Sequence, residues 1–343
     1  MFPLTVNPRM VSEDDFPASG TPAEQLCFLL NYAVLAPSEY NTQPWLFKVS
    51  GRTAELYADR SRRLPIVDPE DRELTISCGA ALFNLRVALR QFGYTDEVEV
   101  LTCPDVPDAL ACISLGSRRE ATEEDHRMFQ AIQHRRTNRH VFTHQSVPAA
   151  LLTTLSELAE GEGTWFHVVL REETRRVLTN LIMIGDRLQW ADKQFRRELA
   201  TWARPAHSQE SHDGLPGYTQ SKGSFATSIS PFLIRTFDMG DEEALKDHLL
   251  AAGSPVLAVL GTVNDTWHDW LAAGQAAEKL LLYACAEGIQ GSFLNQPVEL
   301  ASLRSVLRDL IGRGAFPQLV LRLGYGPPVP PTPRRSVSEV LLL

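Results

Sequence analysis

Apolar residues recur at three- and four-residue steps through Leu26, Leu29, Leu30, Ala33 and Val34, a spacing that predicts an amphipathic helix ending at Ala36-Pro37. Just upstream, Thr21-Pro22-Ala23-Glu24 has the form of a capping box with proline at the first helical position, so the helix begins there. Residues 1–20, rich in proline, serine and acidic side chains, read as a loose arm. The period then changes to two. Residues 45–49 and 54–58, either side of Ser50-Gly51, predict a β-hairpin. A second strong helix spans residues 73–92 and is closed by Gly93, followed by short strands over 98–101 and 110–115.

From Thr122 the pattern starts again. A helix over 122–134 carries Asp125 in capping-box position, a second helix ends at Gly161, and a strand follows over 164–170. The periodicity next predicts one long helix over 173–199. Residues 201–240 lose it, with Pro205, Gly214, Pro216, Gly217, Gly223 and Pro231 among scattered aromatics. Regularity returns as a strand over 255–260, helices over 267–287 and 298–310, and a strand over 318–323. The tail Pro327-Pro-Val-Pro-Pro-Thr-Pro333 reads as extended and reaching across a surface.

The restart is visible in the letters. Gly79, Ala81, Leu85 and Gly93 recur as Gly274, Ala276, Leu280 and Gly288, each 195 residues later. The closing strands Ala109-Leu-Ala-Cys-Ile-Ser-Leu-Gly116 and Pro317-Gln-Leu-Val-Leu-Arg-Leu-Gly324 share a pattern as well. Together these favour an α+β protein of two related halves, 21–118 and 119–326, flanked by an N-terminal arm (1–20) and an extended C-terminal arm (327–343).

Composition narrows the function classes. The 343 residues are 44% hydrophobic and 22% charged, as in a globular protein with ample core. A formal net charge of -9 argues against nucleic-acid and anionic-membrane partners. Five cysteines without a C-x-x-C pair indicate neither a disulfide framework nor a zinc cluster. No signal-peptide pattern opens the chain and no apolar run reaches the ~18 residues of a spanning helix, so a cytoplasmic protein is expected. His207 and His212 lie five apart in irregular sequence with no third ligand nearby, and no metal site is expected.

Two stretches carry candidate chemistry. Ala36-Pro-Ser-Glu-Tyr-Asn-Thr-Gln-Pro-Trp45 packs hydroxyls and amides between two prolines. It is either an ordinary helix-ending turn or a stiff array of donors and acceptors for a flat heteroaromatic ligand. Arg135-Arg136-Thr137-Asn138-Arg139 is either a set of cations favoured at a helix C-terminus or a clamp for a phosphate, whose oxygens meet guanidinium groups bidentately. The usual serine-elbow, dinucleotide-turn and phosphate-loop glycine motifs are absent.

The phrases N-T-Q-P-W, R-x-L-x-x-V-D-P, R-E-L-x-I-S-C-G-A-A, R-R-T-N-R, D-G-L-P and R-L-G-Y-G-P-P-V-P-P-T-P-R-R span nearly the whole chain. They resemble the FMN-dependent nitroreductase family, and within it the mycobacterial Acg-like group. The resemblance implies a nitroreductase fold in which the two tandem halves form an intrachain pseudo-dimer with one FMN site. Pro37, Ser38, Asn41 and Gln43 would contact the flavin ring, and Ser292, Phe293, Leu294 and Asn295 its reactive edge. Arg135, Arg136, Thr137, Arg139, Arg334 and Arg335 would hold its phosphate. The two last arginines, read without the resemblance, are equally a solvated tail. No side chain is implied as a catalytic acid or base, the flavin N5 being the reactive centre.

The implied activity is NAD(P)H-dependent, two-electron, ping-pong reduction of a small-molecule acceptor such as a nitroaromatic or quinone, in a monomer or homodimer. The alternatives are storage of FMN beneath a lid without NAD(P)H turnover, or a specialised flavin-dependent modification enzyme. Residues 201–240 are the candidate lid, or else only a long surface loop.

Overall fold

A computed structural model describes residues 6–101, 106, 108–204, 211–217 and 231–342. In chain order the elements are α1 (Pro22–Ala33), β1 (Trp45–Ser50), β2 (Thr53–Ala58), α2 (Arg72–Gln91), β3 (Tyr94–Val100) and β4 (Ala109–Arg118). There follow α3 (Glu123–His134), α4 (Ala149–Glu160), β5 (Trp165–Val168), α5 (Glu172–Ala191), α6 (Lys193–Trp202), β6 (Ala203–Arg204) and β7 (Leu215–Pro216). The remainder is α7 (Pro231–Thr236), α8 (Gly240–Ala252), β8 (Val256–Thr262), α9 (Trp267–Ala286), β9 (Gln290–Phe293), α10 (Gln296–Glu299), α11 (Ala301–Ile311), β10 (Phe316–Gly324), α12 (Val337–Val340) and β11 (Leu341–Leu342).

Two sheets carry the architecture. The first has the order β11-β1-β2-β4-β3 and the second β5-β8-β10-β9. Apart from β11, which pairs parallel with β1 through Phe47 opposite Leu341, every neighbouring pair in both sheets is antiparallel. Capping boxes at Thr21, Thr122 and Thr266 start α1, α3 and α9 where the sequence places them or within a residue.

The centre of the molecule is the crossing of α2 and α9. A Cβ on Gly79 would lie 2.2 Å from the carbonyl oxygen of Leu271, and one on Gly274 would lie 1.9 Å from that of Ile76. Only glycine at both positions lets the two backbones approach this closely. The helices also exchange side chains: Leu271 and Leu282 of α9 join the core of the first sheet, and Ile76 of α2 joins the core of the second.

The structure departs from the sequence-based expectations in several places. The predicted helix over 173–199 is two helices, because Asp192 leaves the helical conformation and its carboxylate accepts from the Gln194 amide at 2.7 Å. Met128, Phe129, Ala131 and Ile132 of α3, on the second side of the 118/119 division, pack into the first core. The tail is not extended throughout: its last residues form α12 and β11, and Val337 and Val340 are buried in the first core. Of the candidate lid, 205–210 and 218–230 lie outside the described residues. The remainder holds the end of α6, β6, β7, α7 and the first residue of α8. No helix among the described residues is long and apolar enough to cross a membrane.

Candidate functional site

The polar loop after α1 is held under strain. Tyr40, Asn41 and Gln43 all have positive φ, at 48°, 55° and 53°. Such backbone costs about 1–3 kcal/mol per residue and persists only where its surroundings fix it. Here the C-terminal segment does so. Arg334 Nη1 donates to Asn41 Oδ1 at 2.8 Å, its Nη2 donates to the carbonyls of Leu35 and Ala36, and the Arg335 amide donates to Gln43 Oε1 at 2.8 Å. Asn41 Nδ2 in turn donates to the Gly214 carbonyl at 3.1 Å, and Gln43 Nε2 to that of His212 at 2.8 Å.

The second arginine-rich segment leaves α3 and crosses to the other sheet. Asn138 N donates to the Gly291 carbonyl at 3.0 Å, and the fully buried Arg322 donates from beneath to the carbonyls of Asn138 and His140. Arg135 is itself buried and lies 3.2 Å from a carboxylate oxygen of the fully buried Glu278.

The loop and this segment meet around two adjoining cavities. The smaller, of about 50 Å³, is walled by Arg9, Asn41, Arg135, Arg136 and Arg334, with Thr332 at its margin. Arg136 donates to the Arg135 carbonyl, so its charge is not neutralised by that bond. Burial, and then the neighbouring Arg135, push the Arg136 pKa down to about 10. Arg334 is driven well below its ordinary value by burial and by Arg9, Arg135 and Arg136. Guanidinium groups crowded in this way favour an anion among them.

The larger cavity, of about 250 Å³, reaches from this point beneath α5 and α8. Pro37, Ser38, Thr137 and Arg139 line both cavities, while Ser292, Phe293, Leu294 and Asn295 line the larger. Gln43 and Arg335 line neither: Gln43 is fully buried, and Arg335 Nη1 donates to its carbonyl at 3.0 Å, so both brace the loop from behind.

No protein-family model matches the chain. Over 93% of its length it is 30% identical to a Mycobacterium tuberculosis H37Rv protein named "Putative NAD(P)H nitroreductase Rv3131", of which it covers 91%. This chain belongs to the nitroreductase family. A second relative from that organism, named "Putative NAD(P)H nitroreductase acg", is 30% identical over 90% of the chain and 92% of its own length. Among solved structures, the FMN-dependent nitroreductase NfnB of Mycobacterium smegmatis matches 64% of the chain and 99% of its own, with 18% identity and a TM-score of 0.40.

Several residues lining these cavities were not anticipated from the sequence. Arg9 and Thr332 complete the small cavity. The larger receives Glu39, Glu73, Asp186, Glu243, Asp247 and Glu299. Carboxylate oxygens of Glu39, Glu73 and Glu299 come within 4.8 Å of one another. Burial and then the charge of Glu39 push Glu299 up to about 8. Burial and then Asp247 push Asp186 up to about 9. One signal was available: Asp186 and Gln189 interrupt the buried stripe Leu178, Leu181, Ile182, Gly185 of α5, where an amphipathic helix ordinarily carries apolar residues.

Proposed function

We propose that this protein is an FMN-dependent oxidoreductase that takes electrons from NAD(P)H and passes two at a time to a small organic acceptor, a nitroaromatic or a quinone. The single observation behind this reading is the pair of adjoining cavities, one crowded with guanidinium groups and one broad and partly apolar, meeting at Ser38, Thr137 and Arg139. That shape and charge fit a flat ring carrying a phosphate. The names of the mycobacterial relatives support the nicotinamide donor.

In this reading Arg135, Arg136, Thr137 and Arg334 hold the phosphate, joined by Arg9. Pro37 and Ser38 would contact the flavin ring, Arg139 would help to hold the phosphate, and Ser292 to Asn295 would contact the ring's reactive edge. Asn41 touches the ligand's polar side, and Gln43 and Arg335 keep the loop in its strained form. FMN, when bound, would supply the two-electron chemistry between nicotinamide and acceptor. The protein's work is to orient both partners and to keep water from the ring beneath α5 and α8.

We read the architecture as a tandem pseudo-dimer. The matching strand orders β1-β2-β4-β3 and β5-β8-β10-β9 and the Gly79–Gly274 crossing support this, with α3 packed on the opposite half. The loop comes from one half and the arginine segment from the other, so one FMN per chain is expected, in a cytoplasmic protein.

Purified protein is expected to carry FMN at close to one per chain and to lose its yellow colour on anaerobic mixing with NADH or NADPH. Protein that binds no FMN sinks the reading. Holoprotein that stays yellow with both nicotinamides points instead to flavin storage.

A further inference from the structure

The larger cavity has a charge that the flavin reading does not use. Its wall carries six carboxylates, Glu39, Glu73, Asp186, Glu243, Asp247 and Glu299, against three cations, Arg139, Arg204 and Lys246. Some of these carboxyl oxygens are matched: Arg72 Nη2 lies 2.7 Å from Glu73 Oε1, Lys246 pairs with Glu243, and Gln189 donates to Glu299. Others are not. Glu73 Oε2 and Asp186 Oδ2 have no hydrogen-bond donor among the described residues, although Glu73 is 3% and Asp186 4% exposed. Gln296 is in the same position: its Nε2 donates to Asp186 Oδ1 at 2.9 Å and Asp247 Oδ2 at 2.7 Å, while its Oε1 finds no donor.

These three acceptors come from α2, α5 and the start of α10 and line one cavity. Their placement depends on close packing. A Cβ on Gly185 would lie 2.5 Å from that of Gln296, so only glycine there lets α5 bring Asp186 against the amide. A buried acceptor without a donor is disfavoured, and a buried acid without a cation keeps its proton until a cation arrives to displace it to solvent. Trp190, Phe195, Leu199 and Ile234 supply an apolar wall to the same space.

We infer that the part of the larger cavity at Asp186, Glu73 and Gln296, beside the flavin ring, is a binding subsite for a flat organic cation rich in N–H donors, an amidinium, guanidinium or aryl-ammonium group, and that the acceptor reduced by this protein carries such a group. The cation lies between Asp186, Glu73 and Gln296, with its ring against the aromatic wall. The inference rests on the redox reading only in calling this ligand the acceptor, and its binding is separable from turnover.

The test titrates the FMN-loaded protein with benzamidine, benzamide and benzoate, three planar probes of nearly equal size that differ in charge and donors, and follows heat. Benzamidine is expected to bind at least about tenfold more tightly than benzamide, with benzoate weakest and with release of a proton from the site to solvent, as a charge-assisted contact to a buried carboxylate requires. Asp186→Asn is expected to shrink the benzamidine-to-benzamide ratio to within about threefold. Glu299→Gln, on another element of the same wall, is expected to reduce it in the same direction and serves should the first variant not fold. Benzoate binding as tightly as benzamidine, or a ratio unchanged in the folded variants, overturns the inference. A flavin that NAD(P)H does not bleach, with the benzamidine order intact, removes the redox reading and leaves the subsite. A flavin that is bleached, with benzoate preferred, does the reverse.

Discussion

The first two strands of each sheet are paired alike and joined differently. β1 and β2 meet through a tight turn, Ser50 standing opposite Thr53. β5 and β8 pair in the same antiparallel sense, but residues 169–255 intervene and contain α5 to α8. What this teaches is how two similar frameworks come to do different work. The strands set the scaffold, and the connection between β5 and β8 forms a wall of the larger cavity, which the chain before α3 reaches only with its loop and the start of α2. Loops on a rigid frame are where new chemistry is ordinarily added.

The comparison can be broken most severely at the centre. Gly79→Ala and Gly274→Ala each drive a methyl group into the opposite helix's backbone, and each is expected to cost roughly 3 kcal/mol or more. Comparable losses in denaturant melts would show that both halves depend equally on the crossing. A loss at only one of the two would count against their equivalence. Next is the ligand-binding asymmetry. Arg136→Ala combined with Arg334→Gln is expected to weaken FMN binding about 100-fold or more, two charge-assisted contacts being removed at about 1.5–3 kcal/mol each. A fluorescence titration giving unchanged affinity would remove the small cavity from the flavin site.

A smaller effect distinguishes the expanded connection. Asp186 holds its proton to about pH 9 in the folded chain because of burial and Asp247. An unfolded aspartate loses its proton near the ordinary value. The folded state therefore binds the extra proton between these limits, and its stability falls as pH rises through them. Asp186→Asn is expected to flatten this slope and to gain at least about 1 kcal/mol over the parent at pH 8 relative to pH 5, in melts at both values. The smallest effect belongs to the tight turn. Gly51 has φ of +55° with open space around it, so Gly51→Ala should cost only about 1 kcal/mol and leave FMN affinity alone.

Much of this was legible in the letters where local rules and tertiary packing agree. The Thr21 and Thr122 capping boxes, the hairpin at Gly51 and the paired glycines of α2 and α9 are such places. The rest was hidden where they conflict. α8 turns Glu243, Lys246 and Asp247 toward a cavity, so it lacks a simple apolar face. The break at Asp192 involves neither proline nor glycine, and the apolar period runs on across it. β11 is two leucines whose partner strand lies almost three hundred residues away, and nothing local can announce such a pairing. The loop and the arginine segment were readable as ligand chemistry, but the division of labour within them was not. Gln43 and Arg335 brace the loop from behind while Ser38 and Arg136 line the cavities, a difference set by tertiary placement and not by residue type.

The bracing of the early loop by Arg334 and Arg335 spans 292 to 299 positions of chain. A ribosome delivers the loop long before it delivers these arginines, and chains tend to fold from the N-terminus as they emerge. The braced form of Tyr40, Asn41 and Gln43 is therefore complete only after the 293 positions from Asn41 to Arg334 have been added. Under the proposed function, flavin capture is then coupled to the arrival of Arg334 and Arg335 at the loop.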